Sequence, residues 1–418
     1  MTTSLPSIAR NNEAYFSLAV AGVGLIGSVL TVSLVVIGVW AVTSLWRDRY
    51  QYILPSGANA LALSCAAFAV IGLALTFYHA NTNADRLVGI GYVLFLMPMV
   101  LFARYDGGER PVEFALILRW ALPAAGLFGV AIGIVQYVFV GIRAEGGAGN
   151  ALPFATVMAM AAPGALMLAC RDDRIWVRLY SASGWLGCLF AVFLSESRTM
   201  IAVLFMATLL FAVWNWRPLV RGLPRAVIIA SLIAAGFLAT AGAIFVVERT
   251  VSQVEEDRVP EARPSSVGWR VLYWKAGWDI ALEKPLLGVG RDARMAEVGK
   301  VLVADGNREN PDLPHSHLHN AYLNALVDHG LPGIVSLLAV LVLPVVIWFR
   351  DSGASADGAL TAGYVGMVLT VALSGMTNVH FENDVIASYF LTLSIGFWLA
   401  RMDRTPTARA IGQSVATD

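Results

Sequence analysis

Long apolar runs separated by short polar turns recur from Ala14 to Trp398. A bilayer core takes about 20 apolar residues in a helix, and soluble folds do not repeat runs of that length. The pattern predicts transmembrane helices over Asn59 to Phe77, Val88 to Phe102, Trp120 to Val140, Leu152 to Cys170, Tyr180 to Leu194, Met200 to Trp214 and Val227 to Val247. After a polar interval it predicts three more, over Leu331 to Trp348, Leu360 to Met376 and Val385 to Trp398. The first stretch, Ala14 to Trp46, is too long for one span, and Gly27-Ser28 near its middle divides it into two. It has no short apolar segment ending in a small-residue cleavage site, so it reads as retained. The fold class expected is all-α, a polytopic membrane protein of about 12 transmembrane helices.

Three regions follow. Residues 1–247 form an N-terminal bundle, residues 248–330 a large polar loop, and residues 331–418 three further helices and a tail. Basic residues in short loops favour the cytoplasmic side. Arg47, Arg49, Arg104, Arg110, Arg119, Arg171, Arg174, Arg178, Arg217, Arg221, Arg225, Arg350, Arg401, Arg404 and Arg409 all fall on one side, whereas the opposite short loops hold Arg86, Arg143 and Arg198. This alternation places both termini in the cytoplasm and the large loop outside, which for a bacterial inner membrane is the periplasm.

The loop is too small to bury a core of its own and is expected to pack on the membrane helices. Its acidic start, Glu255-Glu256-Asp257 to Pro264, is broken by proline. Ser265 or Ser266 can then cap an amphipathic helix whose Trp269, Tyr273, Ala276 and Ile280 share a face, before Pro285 ends it. A turn at Gly288-Val289-Gly290 leads to a short helix around Ala293 to Val301.

The chain is 57% hydrophobic and 14% charged, with zero formal net charge, so overall charge indicates no nucleic-acid partner. Cys65, Cys170 and Cys188 lie inside apolar runs and read as packing residues, with no disulfide framework. No glycine-rich phosphate loop joins a strand to a helix, so nucleotide binding is not indicated.

The polar stretch Pro311 to Gly333 concentrates four of the six histidines. His315, His317 and His319 alternate along an extended approach, and Ala321 to His329 reads as a helix closed by Gly330. His319 falls near the helix start, where the dipole disfavours imidazolium and leaves a neutral ring able to accept a proton. Three alternating histidines also suit a metal, but zinc wants three or four ligands with a supporting shell, and no cysteine lies nearby. Solvated or capping histidines are the plain alternative. On the same outward face lie Arg198, Arg270, Arg291 and the cluster His380, Glu382, Asn383, Asp384. Arginine near hydrocarbon is costly unless it binds an anion or snorkels to headgroups. Guanidinium forks suit phosphate oxygens, and a base opposite them could deprotonate an attacking hydroxyl.

His319-Asn320, nine residues, Gly330, two residues and Gly333 resemble the His-Asn-x9-Gly-x-x-Gly pattern of the O-antigen ligase and polymerase superfamily. HLHN looks most like the ligase branch, and PLLGVGRD is similar to another block of these proteins. The resemblance implies a GT-C-like glycosyltransferase that needs no cofactor or metal and inverts the anomeric centre. It moves a glycan from undecaprenyl pyrophosphate to a lipid A-core acceptor at the periplasmic face. Its motifs imply a base at His319 and diphosphate-binding arginines at Arg198 and, in the loop, at Arg270 or Arg291. His317, Asn320 and Asp384 are supporting or acceptor-side candidates, and His315 is outside the pattern. A polymerase or a protein O-oligosaccharyltransferase of the same superfamily remains an alternative. From other classes, a lipid-linked glycan flippase or a membrane-bound assembly partner fits the spans alone, but a transporter would gather its ionisable groups at the midplane.

Overall fold

The computed structural model describes residues 8–48, 58–103, 113–172, 174–214, 264–304, 313, 315–351 and 358–402. Among them every regular element is helical. Six helices are long and apolar enough to cross a membrane, and five shorter apolar helices accompany them. The architecture is that of a polytopic membrane protein. The span expected over Val227 to Val247, the acidic start of the large loop and the basic C-terminal tail lie outside the described residues.

The first apolar stretch divides as its glycine suggests. Helix α1 (Ile8–Ile26) and helix α2 (Val29–Asp48) flank Gly27, whose φ of 50° belongs to the left-handed region. Helices α3 (Asn59–His79), α7 (Ala151–Arg171), α8 (Ile175–Leu194), α9 (Arg198–Trp214), α13 (Gly358–Ser374) and α14 (Asp384–Met402) fall where the apolar pattern puts them. Val88 to Phe102 differs from the expected single span: α4 (Asn83–Val88) leads into a 3-10 segment, Gly89–Leu96, and then α5 (Met97–Ala103). Helix α6 (Phe114–Ile134) begins earlier than expected and ends in a π-helical turn, Val135–Val140.

Two helices form the centre. Helix α14 is buried from Val385 to Ala400 without interruption, the behaviour of a helix apolar on every side. Helix α7 is enclosed almost as fully. Around them α1, α2, α6, α8 and α12 (Ala321–Asp351) turn residues such as Val36, Phe128, Phe190 and Val335 outward. Where α6 meets α8, a Cβ at Gly126 would lie 1.9 Å from the Gly184 carbonyl oxygen, so only glycine allows these backbones to touch.

At one end, Arg119 pairs with Asp172, and the Arg401 guanidinium stacks on Trp348 and Trp398. At the other end a second core assembles outside the bundle. Helix α10 (Ser266–Glu283) starts at Ser265, whose hydroxyl accepts from the Val267 and Gly268 amides at 3.2 Å. Its Trp269, Tyr273, Ala276 and Ile280 pack with Val298 and Leu302 of α11 (Arg291–Ala304), and with Leu318, Leu323 and Val327.

Helix α12 corrects the expected stop at Gly330. The chain kinks there, at φ 61° and ψ −153°, and continues directly into the membrane segment. Pro285 to Gly290 docks on the kink: Leu331 N donates to the Pro285 carbonyl at 2.8 Å, Val289 N to Val327 at 2.8 Å, and Gly290 N to Asp328 at 3.0 Å. A Cβ on Gly330 would stand 2.5 Å from the Leu286 backbone. One glycine from each sequence block, Gly288 and Gly330, thus serves this close backbone contact.

Candidate active site

His315, His317 and His319 lie on a loop that bends at residues 316, 317 and 319, where the sequence pattern suggested an extended approach, and the bends let His319 meet the other two rings edge to face. Ring centroids are 4.6 Å apart for His315 and His319 and 4.2 Å for His317 and His319. At His319 the backbone turns to φ 54°, a left-handed value that non-glycine residues rarely take. The next residue opens α12: the Asn320 carboxamide accepts from the Tyr322 and Leu323 amides at 3.0 Å. The Ala321 amide donates to the Gly375 carbonyl at 2.8 Å, fixing the helix start against the end of α13.

The electrostatics favour neutral rings. Burial, followed by His317, Arg270 and His315, lowers the His319 pKa to about 3. For His317 burial dominates; Glu382 opposes it, but Arg294, His315 and Arg291 add to it, leaving a value of about 4. His315 is lowered by burial and by Arg270. His317 Nδ1 accepts from the His319 amide at 3.2 Å, so a neutral His317 carries its proton on Nε2. His319 Nδ1 is buried and has no partner among the described residues.

Two of the expected arginines join this loop. Arg198 is the first residue of α9, and Arg270 sits on α10, whose Trp274 Nε1 donates to the Leu318 carbonyl at 2.9 Å. Arg270 Nη1 donates to the Thr199 hydroxyl at 3.4 Å. Its pKa is lowered by burial and then by Arg198, so two guanidiniums stand within electrostatic reach. Among the described residues no carboxylate forms a salt bridge with Arg270, and its Nε is buried without a partner. A half-buried cationic pair beside neutral imidazoles is suited to an anion.

The third expected arginine is within electrostatic reach of His317 but has a carboxylate partner. Arg291 pairs with Glu382 at 3.2 Å. Beside it Arg294, which the sequence reading passed over, is 1% exposed and contacts Asp328 at 2.5 Å, Glu382 at 3.0 Å and the Ser316 carbonyl at 2.8 Å. Burial works against its charge, but Asp328 and Glu382 outweigh that and raise its pKa. Burial would push the Glu382 carboxyl up, yet Arg294 and Arg291 hold it down at about 2. The only signal in the sequence was the spacing of Arg291 and Arg294, which puts both near one face of a short helix.

The remaining candidates hold elements together. Asp384 accepts from the Thr31 hydroxyl at 3.1 Å and ties α14 to α2. Asn383 caps α14 through the Ile386 amide at 3.1 Å. His380 is buried against the Ser374 hydroxyl at 2.9 Å, and His329 lies edge-on to Tyr92. Among the described residues no group of three or more histidine, cysteine or acidic side chains is arranged to hold a metal ion.

The class this defines is a helical membrane protein with a histidine loop and an arginine pair at one end of its bundle. Residues 183–338 match the family model described as O-antigen ligase, and that match supports the O-antigen ligase and polymerase superfamily whose motif the chain resembles. The matched segment begins within α8 and contains α9, α10, α11 and the histidine loop, and so Arg198, Arg270, Arg291 and His319. No curated protein matches the chain.

Proposed function

We propose that the chain is an O-antigen ligase. It transfers O-antigen polysaccharide from undecaprenyl pyrophosphate to the lipid A-core oligosaccharide, at the periplasmic face of the inner membrane, by a GT-C-like inverting reaction without a metal. The observation that supports this reading is a neutral His319 within electrostatic reach of the Arg270 guanidinium, which is itself within reach of Arg198.

Each group has one task. Arg198 and Arg270 grip the diphosphate and stabilise the charge it gains on leaving. His319 accepts the proton of the core hydroxyl as its oxygen bonds to the anomeric carbon and the bond from that carbon to the diphosphate breaks. The new bond forms on the face opposite the leaving group, which inverts the centre. The donor carries the energy, since the periplasm supplies no ATP. Asn320 keeps His319 at the helix start, His317 holds its amide, and Asp384 supports the bundle. Arg291, neutralised by Glu382, supports the fold around the loop.

The test is a purified protein given a lipid-linked glycan and either bare lipid A-core or a second donor, with products resolved by size. Transfer to the core is expected. A lengthening ladder on the lipid carrier would mean a polymerase, and no covalent product would favour transport. His319→Ala should stay folded in the membrane and lose about 100- to 10,000-fold in rate, the usual contribution of a positioned base.

A further inference from the structure

His319 holds a left-handed backbone, uncommon for any residue but glycine, and contacts on the loop around it hold it there. The contacts around Leu318, directly before it, supply the means. Its amide donates to Asn324 Oδ1 at 3.1 Å, and its carbonyl accepts from Trp274 Nε1 at 2.9 Å. Asn324 is 2% exposed, on the first turn of α12. Its Nδ2 donates to Glu382 Oε1 at 2.8 Å. Glu382 is in turn gripped by Arg294 at 3.0 and 3.2 Å and by Arg291 at 3.2 Å.

This chain of contacts has a fixed polarity. An ionised carboxylate only accepts, so the Asn324 nitrogen must face Glu382 and its oxygen must face the Leu318 amide. Arg294 adds a second hold on the loop at the Ser316 carbonyl. We propose that Asn324 is the positioning residue of the reaction: it fixes Leu318, and through Leu318 the placement of His319, in an orientation set by Glu382. This rests on the reading of His319 as base. Asn324 touches no reacting atom and acts through the loop alone. Aspartate in its place would set two carboxylates against each other, and leucine would leave the Leu318 amide buried without an acceptor.

The experiment pairs hydrogen exchange across 315–323 with transfer kinetics, in wild type, Asn324→Leu, Asn324→Asp and the double variant Asn324→Asp with Glu382→Gln. In Asn324→Leu, exchange of the Leu318 and His319 amides should rise roughly tenfold, the value of one lost hydrogen bond. Helix α14 should stay protected. Turnover should fall about 100-fold, as for a misplaced catalytic group, with the donor KM little changed. The double variant reverses donor and acceptor, since a glutamine amide can donate to the aspartate, and should recover part of both losses. If Asn324→Leu does not fold, Asn324→Asp and its rescue carry the same comparison.

Unchanged loop protection in the single variants, or lost protection with wild-type turnover, would overturn the proposal while leaving the ligase reading intact. So would a double variant no better than Asn324→Asp alone. Wild-type protein inert towards every lipid-linked donor would overturn the ligase reading, and the role in catalysis with it.

Discussion

Two pairs of arginines occupy the same end of the molecule and meet opposite fates. Arg291 and Arg294, on α11, are met by Glu382 and Asp328, and Arg294 is sealed among them. Arg198 and Arg270, on α9 and α10, lie near one another, and Arg270 has a threonine hydroxyl where its counterpart has carboxylates. A guanidinium whose charge is balanced inside the protein builds structure, because it has no further demand for an anion. One kept half-buried beside another cation stores an electrostatic demand that a diphosphate can satisfy. Residue type and region are shared, so the difference lies in what the fold brings opposite Arg270 and opposite the α11 pair.

The sharpest way to break the comparison is to remove Arg294. Arg294→Met leaves the Asp328 carboxylate buried without its guanidinium and Glu382 with Arg291 alone, and it should cost about 3–5 kcal/mol of stability. Thermal unfolding in detergent measures it; a variant as stable as wild type would deny Arg294 its structural role. Arg198→Ala should bind donor about 10- to 100-fold more weakly, the worth of a charged hydrogen bond or two. Lysine at 198 should rescue poorly if both prongs of the fork are used. Full recovery with lysine would reduce the contact to a point charge.

The pH dependence is a smaller effect with a definite sign. His319 has a folded pKa of about 3 against 6.5 ordinarily, through burial and its neighbours His317, Arg270 and His315. Between those values the folded state binds fewer protons than the unfolded one. The contribution to stability is therefore complete above 6.5 and is lost as pH falls through that window. The same depression keeps the base unprotonated, so kcat/KM should be flat from about pH 8 to about pH 5, with no inflection near the ordinary histidine value of about 6.5. An acid limb centred there would place His319 in water. Smallest of all is the expected response to chelators: transfer should persist after metal removal, and a loss restored by zinc would turn the histidine loop into a metal site.

Much of this was legible in the sequence, for reasons that are local. Apolar runs of bilayer length gave the helices, Gly27-Ser28 their first break, and Ser265 the start of α10. The concentration of His315, His317 and His319 just before a helix start marked the loop, although the extended approach read from their spacing is bent in the structure. What escaped was set by distant partners. Arg294 reads as a surface residue until Asp328 and Glu382, 34 and 88 positions away, are seen to enclose it. Asn324 reads as one polar position in a helix until Leu318 and Glu382 fall on its two sides. Gly330 looked like a stop because a left-handed glycine usually ends a helix; docking of Pro285 to Gly290 lets the chain kink and continue instead.

The contrast between the arginine pairs is tested most directly by measuring the affinity of one lipid-linked diphosphate donor for Arg270→Ala and Arg291→Ala in parallel. The account predicts a marked loss of affinity at 270 and little change at 291. Equal losses at both positions, or a loss at 291 alone, would contradict it.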